Sequence, residues 1–392
     1  MNPISGGPCQ GLRNAIPEFL KLGFYSEVVS LDEIDANYLK NDSFPIHAIG
    51  NAKGSWQYNF SLISWLRINL ANYDGVIIHA LWLFHGYAVN KVINEFKKSG
   101  KKTPLFFVMP HGMLDPYFQE AQSRKLKAFR NYIYWKLVQG DIINNAAGIL
   151  FTCEEELILA KNTFKPYKPK LELNVGYGIP EPPLQLVNNF LNNNAIELIS
   201  PKPYLLFLSR IHQKKGVDLL IEAFSELVLS NPVNEIPNLV IAGPGEESEY
   251  GKEIIKLVKS KKHLEKRIFF PGMLEGEAKW KAFYECEAFI LPSHQENFGI
   301  AVVEALACSK PVLITNKVNI WREINSNNAG IVEDDTLLGT KALLNRWTSF
   351  NEKQKKHMSY AAFSCYSKHF RVDSAAAQMV NTLASVIKKN KI

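Results

Sequence analysis

Two rhythms of apolar and polar residues take turns along this chain. Short apolar or alternating runs at residues 26–31 (SEVVSL), 45–50 (PIHAIG), 75–80 (GVIIHA), 104–109 (PLFFVM) and 147–152 (AGILFT) read as strands. Between them the apolar positions fall at helical spacing. Residues 10–24 carry Leu12, Ile16, Phe19 and Leu20 on one face, with Pro17 expected to kink this helix or end its first turn. Further helices are expected over 58–72, 87–98 and 122–142. The pattern lapses in a Pro- and Asn-rich stretch between 177 and 203, which reads as a linker. It then resumes, with strands at 204–209, 239–242, 268–271, 288–291, 311–315 and 330–332, and helix dominating from about 337.

Strand alternating with helix at this spacing predicts parallel, doubly wound sheets. The expected layout is a first α/β domain over 1–180, a linker at 181–202, a second α/β domain over 203–370, and a terminal helix at 371–392 able to cross back to the first. Ligands of such sheets sit beyond the carboxyl ends of the strands, and a cleft between two such domains is the expected site.

Composition narrows this little. Hydrophobic residues make up 46% and charged residues 21% of the 392, a globular balance that excludes a disordered chain. No apolar run reaches the ~18 residues of a membrane span. Five scattered cysteines, without metal spacing, suit a reducing cytoplasm. The net charge of +7 reads as a solvated basic face, and without a module signature it does not point to nucleic acid. Residues 124–137 (RKLKAFRNYIYWKL) place Leu126, Phe129, Ile133 and Leu137 at helical spacing among five cations. That is compatible with an interfacial helix on anionic lipid. The simpler reading, favoured here, packs those apolar residues on the domain's own sheet.

Chemistry concentrates at residues 291–310 (LPSHQENFGIAVVEALACSK). A strand, a turn through Gly299 and a helix start make an anion-binding geometry, because free backbone N–H groups and the helix dipole converge there. Glu296 stands before the turn and Glu304 eight residues on, inside the helix. After an earlier strand, Arg210 and Lys215 share one strand-to-helix loop and could grip one diphosphate, Arg as a fork and Lys as a point charge. Gly243 and Gly245 could let backbone approach a flat ligand, and equally could serve a plain turn. Met273 and Leu274, after Gly272, could line a base pocket. His111 ends a first-domain strand, and Gly6-Gly7 precede a helix start. Glu333-Asp334-Asp335 is read as structural.

Taken together, Arg210 with Lys215, His111-Gly112, and the Glu296 and Glu304 pair within PSHQENFGIAVVEALA resemble the retaining glycosyltransferases of family 4, which have the GT-B fold. PHGMLDP, SRIHQKKGVDLLIEAF and PVLITNKVNIWREI resemble a bacterial branch that builds exopolysaccharide or lipopolysaccharide-type glycans. The resemblance implies a cytoplasmic, retaining, metal-independent hexosyltransferase with no cofactor. Its donor would be a UDP- or GDP-linked sugar and its acceptor a glycan or lipid-linked glycan, with peripheral contact at the inner membrane face left open. It assigns Arg210 and Lys215 to the donor diphosphate, Glu304 to the ribose, Glu296 to the donor sugar, and the turn Asn297-Phe298-Gly299-Ile300-Ala301 to phosphate or sugar. His111 would line the reaction centre and Gly7 would close over the diphosphate or acceptor. Domain closure would bring His111 to the donor. Family members begin with an apolar strand that leads into the Gly-Gly loop. Here nothing of that kind precedes Gly6-Gly7, so the expectation is that Met1 is internal and the natural start lies upstream, with a degraded first domain as the competing reading. The alternatives in function are an epimerase or hydrolase on the same architecture, or a non-catalytic nucleotide-sugar-binding subunit.

Overall fold

The computed structural model describes residues 1–2, 7–121, 124–183, 201, 203–231 and 236–390. They divide into two units, Met1–Gly178 with Val372–Ile392, and Ile179–Arg371.

In the first unit the strands are β1 (Val28–Ser30), β2 (Ile46–Ala48), β3 (Gly75–His79), β4 (Leu105–Met109), β5 (Gly148–Phe151) and β6 (Glu172–Asn174). The strands β3-β4-β5-β6 form one parallel sheet, and β1-β2 form a separate parallel pair. The period-2 alternation of side chains gives the larger sheet two apolar faces. Phe106, Val108, Ile149 and Phe151 join Leu66, Val92 and Ile93 of the Ser61–Asn69 and Phe84–Lys98 helices. Phe107, Met109 and Leu150 point the other way. They pack with Ile16 and Phe19 of the Gly7–Lys21 helix and with Met379, Val380 and Leu383 of the Val372–Lys389 helix.

Three local expectations need correction. The first helix, Gly7–Lys21, carries Pro17 in its interior, so Pro17 does not end its first turn. The helix expected over 122–142 is helical from Lys125 to Asn145 but carries a π-helical turn, Trp135–Gln139, between Lys125–Tyr134 and Gly140–Asn145, and residues 122–123 lie outside the described residues. Its apolar stripe also faces away from the sheet. Leu126, Phe129, Ile133 and Leu137 are exposed, while Ala128, Asn131, Trp135 and Gln139 are buried. The short strand β6, Glu-Leu-Asn, has no apolar run to announce it.

The second unit has six parallel strands, β7 (Tyr204–Leu208), β8 (Asn238–Ala242), β9 (Ile268–Gly272), β10 (Ala288–Leu291), β11 (Val312–Thr315) and β12 (Gly330–Glu333). Their order is β12-β11-β10-β7-β8-β9. The chain winds outward from β7 to β9, then returns to start β10 on the opposite side of β7. The carboxyl ends of β7 and β10 therefore flank the topological switch point, where an open α/β sheet binds its ligand. Residues 179–181 are tied to the far end of this unit. Ile179 donates its N–H to the Phe370 carbonyl at 3.0 Å, the Tyr366 hydroxyl donates to the Ile179 carbonyl at 3.2 Å, and Arg371 pairs with Glu181. Most of the expected linker, 184–200 and 202, lies outside the described residues.

Candidate active site

The loops after β7 and β10 are interlocked by backbone. After β7 a 3-10 turn, Gln213–Lys215, is capped by the His212 ring, which accepts the Lys214 N–H at 3.1 Å. Gly216 follows with φ +65°, and a Cβ there would stand 2.1 Å from the Pro292 carbonyl oxygen. Only glycine lets the two loops cross so closely. The Lys214 carbonyl then accepts from the His294 N–H at 2.8 Å and the Ser293 hydroxyl at 3.0 Å. The same crossing brings buried Lys215 onto Glu296, and the two form an ion pair.

Glu296 is held from both sides of its main chain. Its N–H donates to the Lys317 carbonyl at 2.8 Å, and its carbonyl accepts from the Asn319 N–H at 2.9 Å. Burial pushes its carboxyl up, but Lys215, Lys214 and the Asn297 N–H outweigh burial and hold it below the usual carboxylate range. Asn297 accepts from Asn319 at 3.5 Å, and Phe298 is buried edge-on against Phe370. Gly299, φ +74°, caps the Ile300–Ala307 helix without a side chain, so the first-turn amides around Ile300 and Ala301 lack an intrahelical acceptor. On that helix Glu304 pairs with Lys279 at 2.7 Å. Burial pushes the Glu304 carboxyl above its ordinary value, and Lys279 offsets this only in part.

Arg210 is exposed in the β7 loop. Burial, with the charges of Arg210, Lys214 and Lys215, pulls His212 below the ordinary histidine value. The Gly243-Pro244-Gly245 turn lies against the same loop. The Ile211 N–H donates to the Pro244 carbonyl at 2.8 Å, and a Cβ on Gly243 would stand 2.0 Å from the Ser209 oxygen. Both glycines are thus required by backbone packing around Arg210. Gly243 also donates to the Gly272 carbonyl at 2.8 Å, which places exposed Met273 and half-buried Leu274 beside that turn. The acidic triplet is structural, since Glu333 pairs with Arg346, Asp334 with Asn316, and Asp335 with His294.

The first unit gathers His111 and Gly7 separately. His111 has φ +52°, and its Nε2 lies 2.9 Å from His79 Nδ1, a hydrogen bond between the two rings. Burial pulls His111 down to about 4. Burial with the charges of His111 and His85 pulls His79 to about 3, so both are neutral at pH 7. His85 bonds the His79 carbonyl at 2.8 Å. Glu156 accepts from the Gly112 N–H at 2.5 Å and from Thr152, fixing the turn that carries His111. The Tyr177 ring stands edge-on to His111, and its hydroxyl donates to the Gly7 carbonyl at 2.9 Å. Gly6 lies outside the described residues. Ala80 and Trp82 also have positive φ, so strained backbone gathers at the carboxyl ends of β3 and β4. Sequence reading missed His79, His85, Glu156, Tyr177 and Lys279. His79 was within reach, because it ends a strand as His111 does. Among the described residues no group of three or more His, Cys, Asp or Glu side chains is arranged to hold a metal ion.

Residues 190–363 match the model of the family Glycosyl transferases group 1. The chain is 25% identical over 128 residues to the D-inositol 3-phosphate glycosyltransferase of Rhodococcus opacus, covering 33% of this chain but only 29% of that relative. It is 22% identical over 268 residues to the N-acetyl-alpha-D-glucosaminyl L-malate synthase of Bacillus anthracis, covering 67% of this chain and 65% of that one. Among solved structures, Anabaena Alr3699/HepE in complex with UDP superposes with a TM-score of 0.70 at 16% identity, over 98% of this chain and 97% of the other. Its complex with UDP-glucose gives 0.68 at 17%, over 97% and 96%. Residues 190–363 are therefore similar to the group 1 glycosyl transferases, and the chain takes the GT-B fold of two Rossmann-like parallel-sheet units.

Proposed function

We propose that this protein is a retaining glycosyltransferase. It moves a hexose-type sugar from a nucleotide diphosphate donor to a glycan or lipid-linked glycan acceptor in cell-surface polysaccharide synthesis. The observation that carries this reading is the Lys215 and Glu296 ion pair at the switch point, beside Arg210 and an uncapped helix N-terminus. A donor diphosphate entering there draws Lys215 from Glu296 and takes the Arg210 fork. Glu296 is then free to accept hydroxyls of the sugar, and Glu304 accepts those of the ribose. The bond between sugar C1 and the phosphate oxygen breaks, and its electron pair stays on the diphosphate. Both cations and the helix N-terminus are already in place for that charge, so little reorganisation opposes the step. The acceptor oxygen bonds C1 from the same face, and its proton passes to the leaving phosphate oxygen. The chemistry assigned to these residues needs no metal. His111 would line the reaction centre, as the family resemblance implies.

A UDP-glucose complex of a protein with this fold puts that donor first in a panel of UDP- and GDP-sugars. The test is a thermal-shift screen, since a ligand bound only to the folded state raises the melting temperature. One nucleotide class should stabilise the protein. Arg210→Ala and Glu304→Ala should each weaken that shift, and Glu296→Ala should abolish turnover while keeping nucleotide binding. Full turnover in Glu296→Ala would refute its assignment.

A further inference from the structure

The transfer chemistry gives Glu304 a role and leaves Lys279, its partner, without one. Lys279 comes from the Gly276–Glu285 helix, soon after β9, and its Nζ donates to Glu304 Oε1 at 2.7 Å. The same ammonium stands over the indole of Trp280, 4.3 Å from the ring centre, which fixes it from a second side. Trp280 in turn packs on buried Phe283 at 6.0 Å. The Lys279 and Glu304 side chains are only 25% and 13% exposed, so this is not a loose surface pair. Among the described residues Lys279 is the one hydrogen-bond donor to the Glu304 carboxylate, which leaves Oε2 open.

An ionised carboxylate only accepts hydrogen bonds, and it can accept from both hydroxyls of a ribose at once. A protonated carboxyl gives up part of that capacity, because one oxygen becomes a donor. Burial favours the protonated form of Glu304, and Lys279 opposes it. Among the described residues no other charge shares that task. The strands beside this helix, β10 and β11, bring no titratable side chain (AFIL and VLIT). Cys308 lies one turn on. Burial, Cys286 and Glu304 push its thiol up, and burial does the same to the Tyr284 hydroxyl bonded to it, so both stay neutral. Lys310 acts on that thiol and not on Glu304. Lys355, on the Glu352–His369 helix packed against that of Glu304, is turned to Glu287 and Glu352.

We propose that Lys279 is a positioning residue that holds the Glu304 carboxylate charged and turned toward a ribose diol, and so sets the preference for ribonucleotide over 2′-deoxyribonucleotide donors. The proposal rests on the donor reading of Glu304. Its test is calorimetric titration of the full chain with UDP and GDP, each beside its 2′-deoxy counterpart, at neutral and at mildly acidic pH. At neutral pH the wild-type chain should bind the ribonucleotide about tenfold more tightly, as expected for one hydrogen bond to a charged group. Lys279→Met should lose most of that preference. The pH below which the preference fades should also lie higher in Lys279→Met than in wild type, because the carboxyl then takes up its proton more readily. Lys279→Arg, which keeps a cation there, should recover most of the preference. Three results overturn the inference while leaving the donor reading intact. Lys279→Met keeps the wild-type preference at both pH values; it weakens both sugars equally, as a direct nucleotide contact or a loosened fold would; or Lys279→Arg behaves as Lys279→Met does. A wild-type chain that binds neither nucleotide sinks the donor reading and this inference together.

Discussion

Under the proposed function, the Lys215 and Glu296 pair serves both stability and donor binding. Three-quarters of the Glu296 side chain and nearly all of Lys215 are out of water. Removing Lys215 alone leaves a charge without its partner, which should cost roughly 3 kcal/mol, the lower end for a broken buried pair. Lys215→Met with Glu296→Leu should recover most of that stability and no activity, measured by denaturant unfolding beside a turnover assay. The two site acids should also separate on titration. Glu304 lies above its ordinary value and Glu296 below it. For Glu296 the folded value is the lower one. Its stabilisation is therefore full above the unfolded carboxylate value near ~4.3 and is lost as pH falls through the depressed value. Glu304 has the opposite sign, because ionising it works against the fold. Carbon-13 carboxyl titration should find Glu304 protonating first on acidification, and the reverse order would remove the electrostatic account.

Elements meet the site through turns, and the turns differ in what their glycines do. Gly216 and Gly272 both have positive φ. A Cβ at Gly216 would strike the Pro292 backbone at 2.1 Å, whereas the nearest atom at Gly272 is a Glu246 side-chain oxygen at 3.9 Å. Gly272→Ala should cost only the conformational term, about 1 kcal/mol. Gly216→Ala must also part the loops that hold Lys215 on Glu296. It should lower the melting temperature several times further and weaken nucleotide binding, which Gly272→Ala should largely spare. At the same scale the 124–137 stripe is instructive. Helical periodicity identified the apolar face, but it carries no information about which side of a helix meets the sheet. Trp135 and Gln139 decided that, through partners in other elements.

For the whole molecule, the Val372–Lys389 helix leaves the second unit and belongs to the first, where Met379, Val380, Leu383 and Val386 cover the Phe107 and Met109 face. Each such side chain contributes roughly 1.5–3 kcal/mol on burial. Deleting residues 372–392 should therefore unfold the first unit and leave the second with its own cooperative melt. Limited proteolysis should then cut within 1–178 and spare 203–370. A single intact melt of unchanged midpoint would show that the helix contributes nothing to the first unit.

Much of this was legible along the chain. Strand and helix rhythms are short-range properties, so the α/β class and nearly every strand followed from local spacing. The residue types at strand ends pointed to Arg210, Lys215, Glu296 and Glu304. Their pairing did not follow from spacing, because it depends on β10 returning beside β7 and on one glycine crossing 76 residues away in sequence from Pro292. Lys279 on Glu304, His79 on His111 and Glu156 under Gly112 were hidden for the same reason. The chain by itself determined which segments form strands and helices and which residue types could hold a diphosphate. Only the tertiary structure decided which of them touch, because long-range contacts are set by sheet order and close backbone approach, neither of which leaves a local trace.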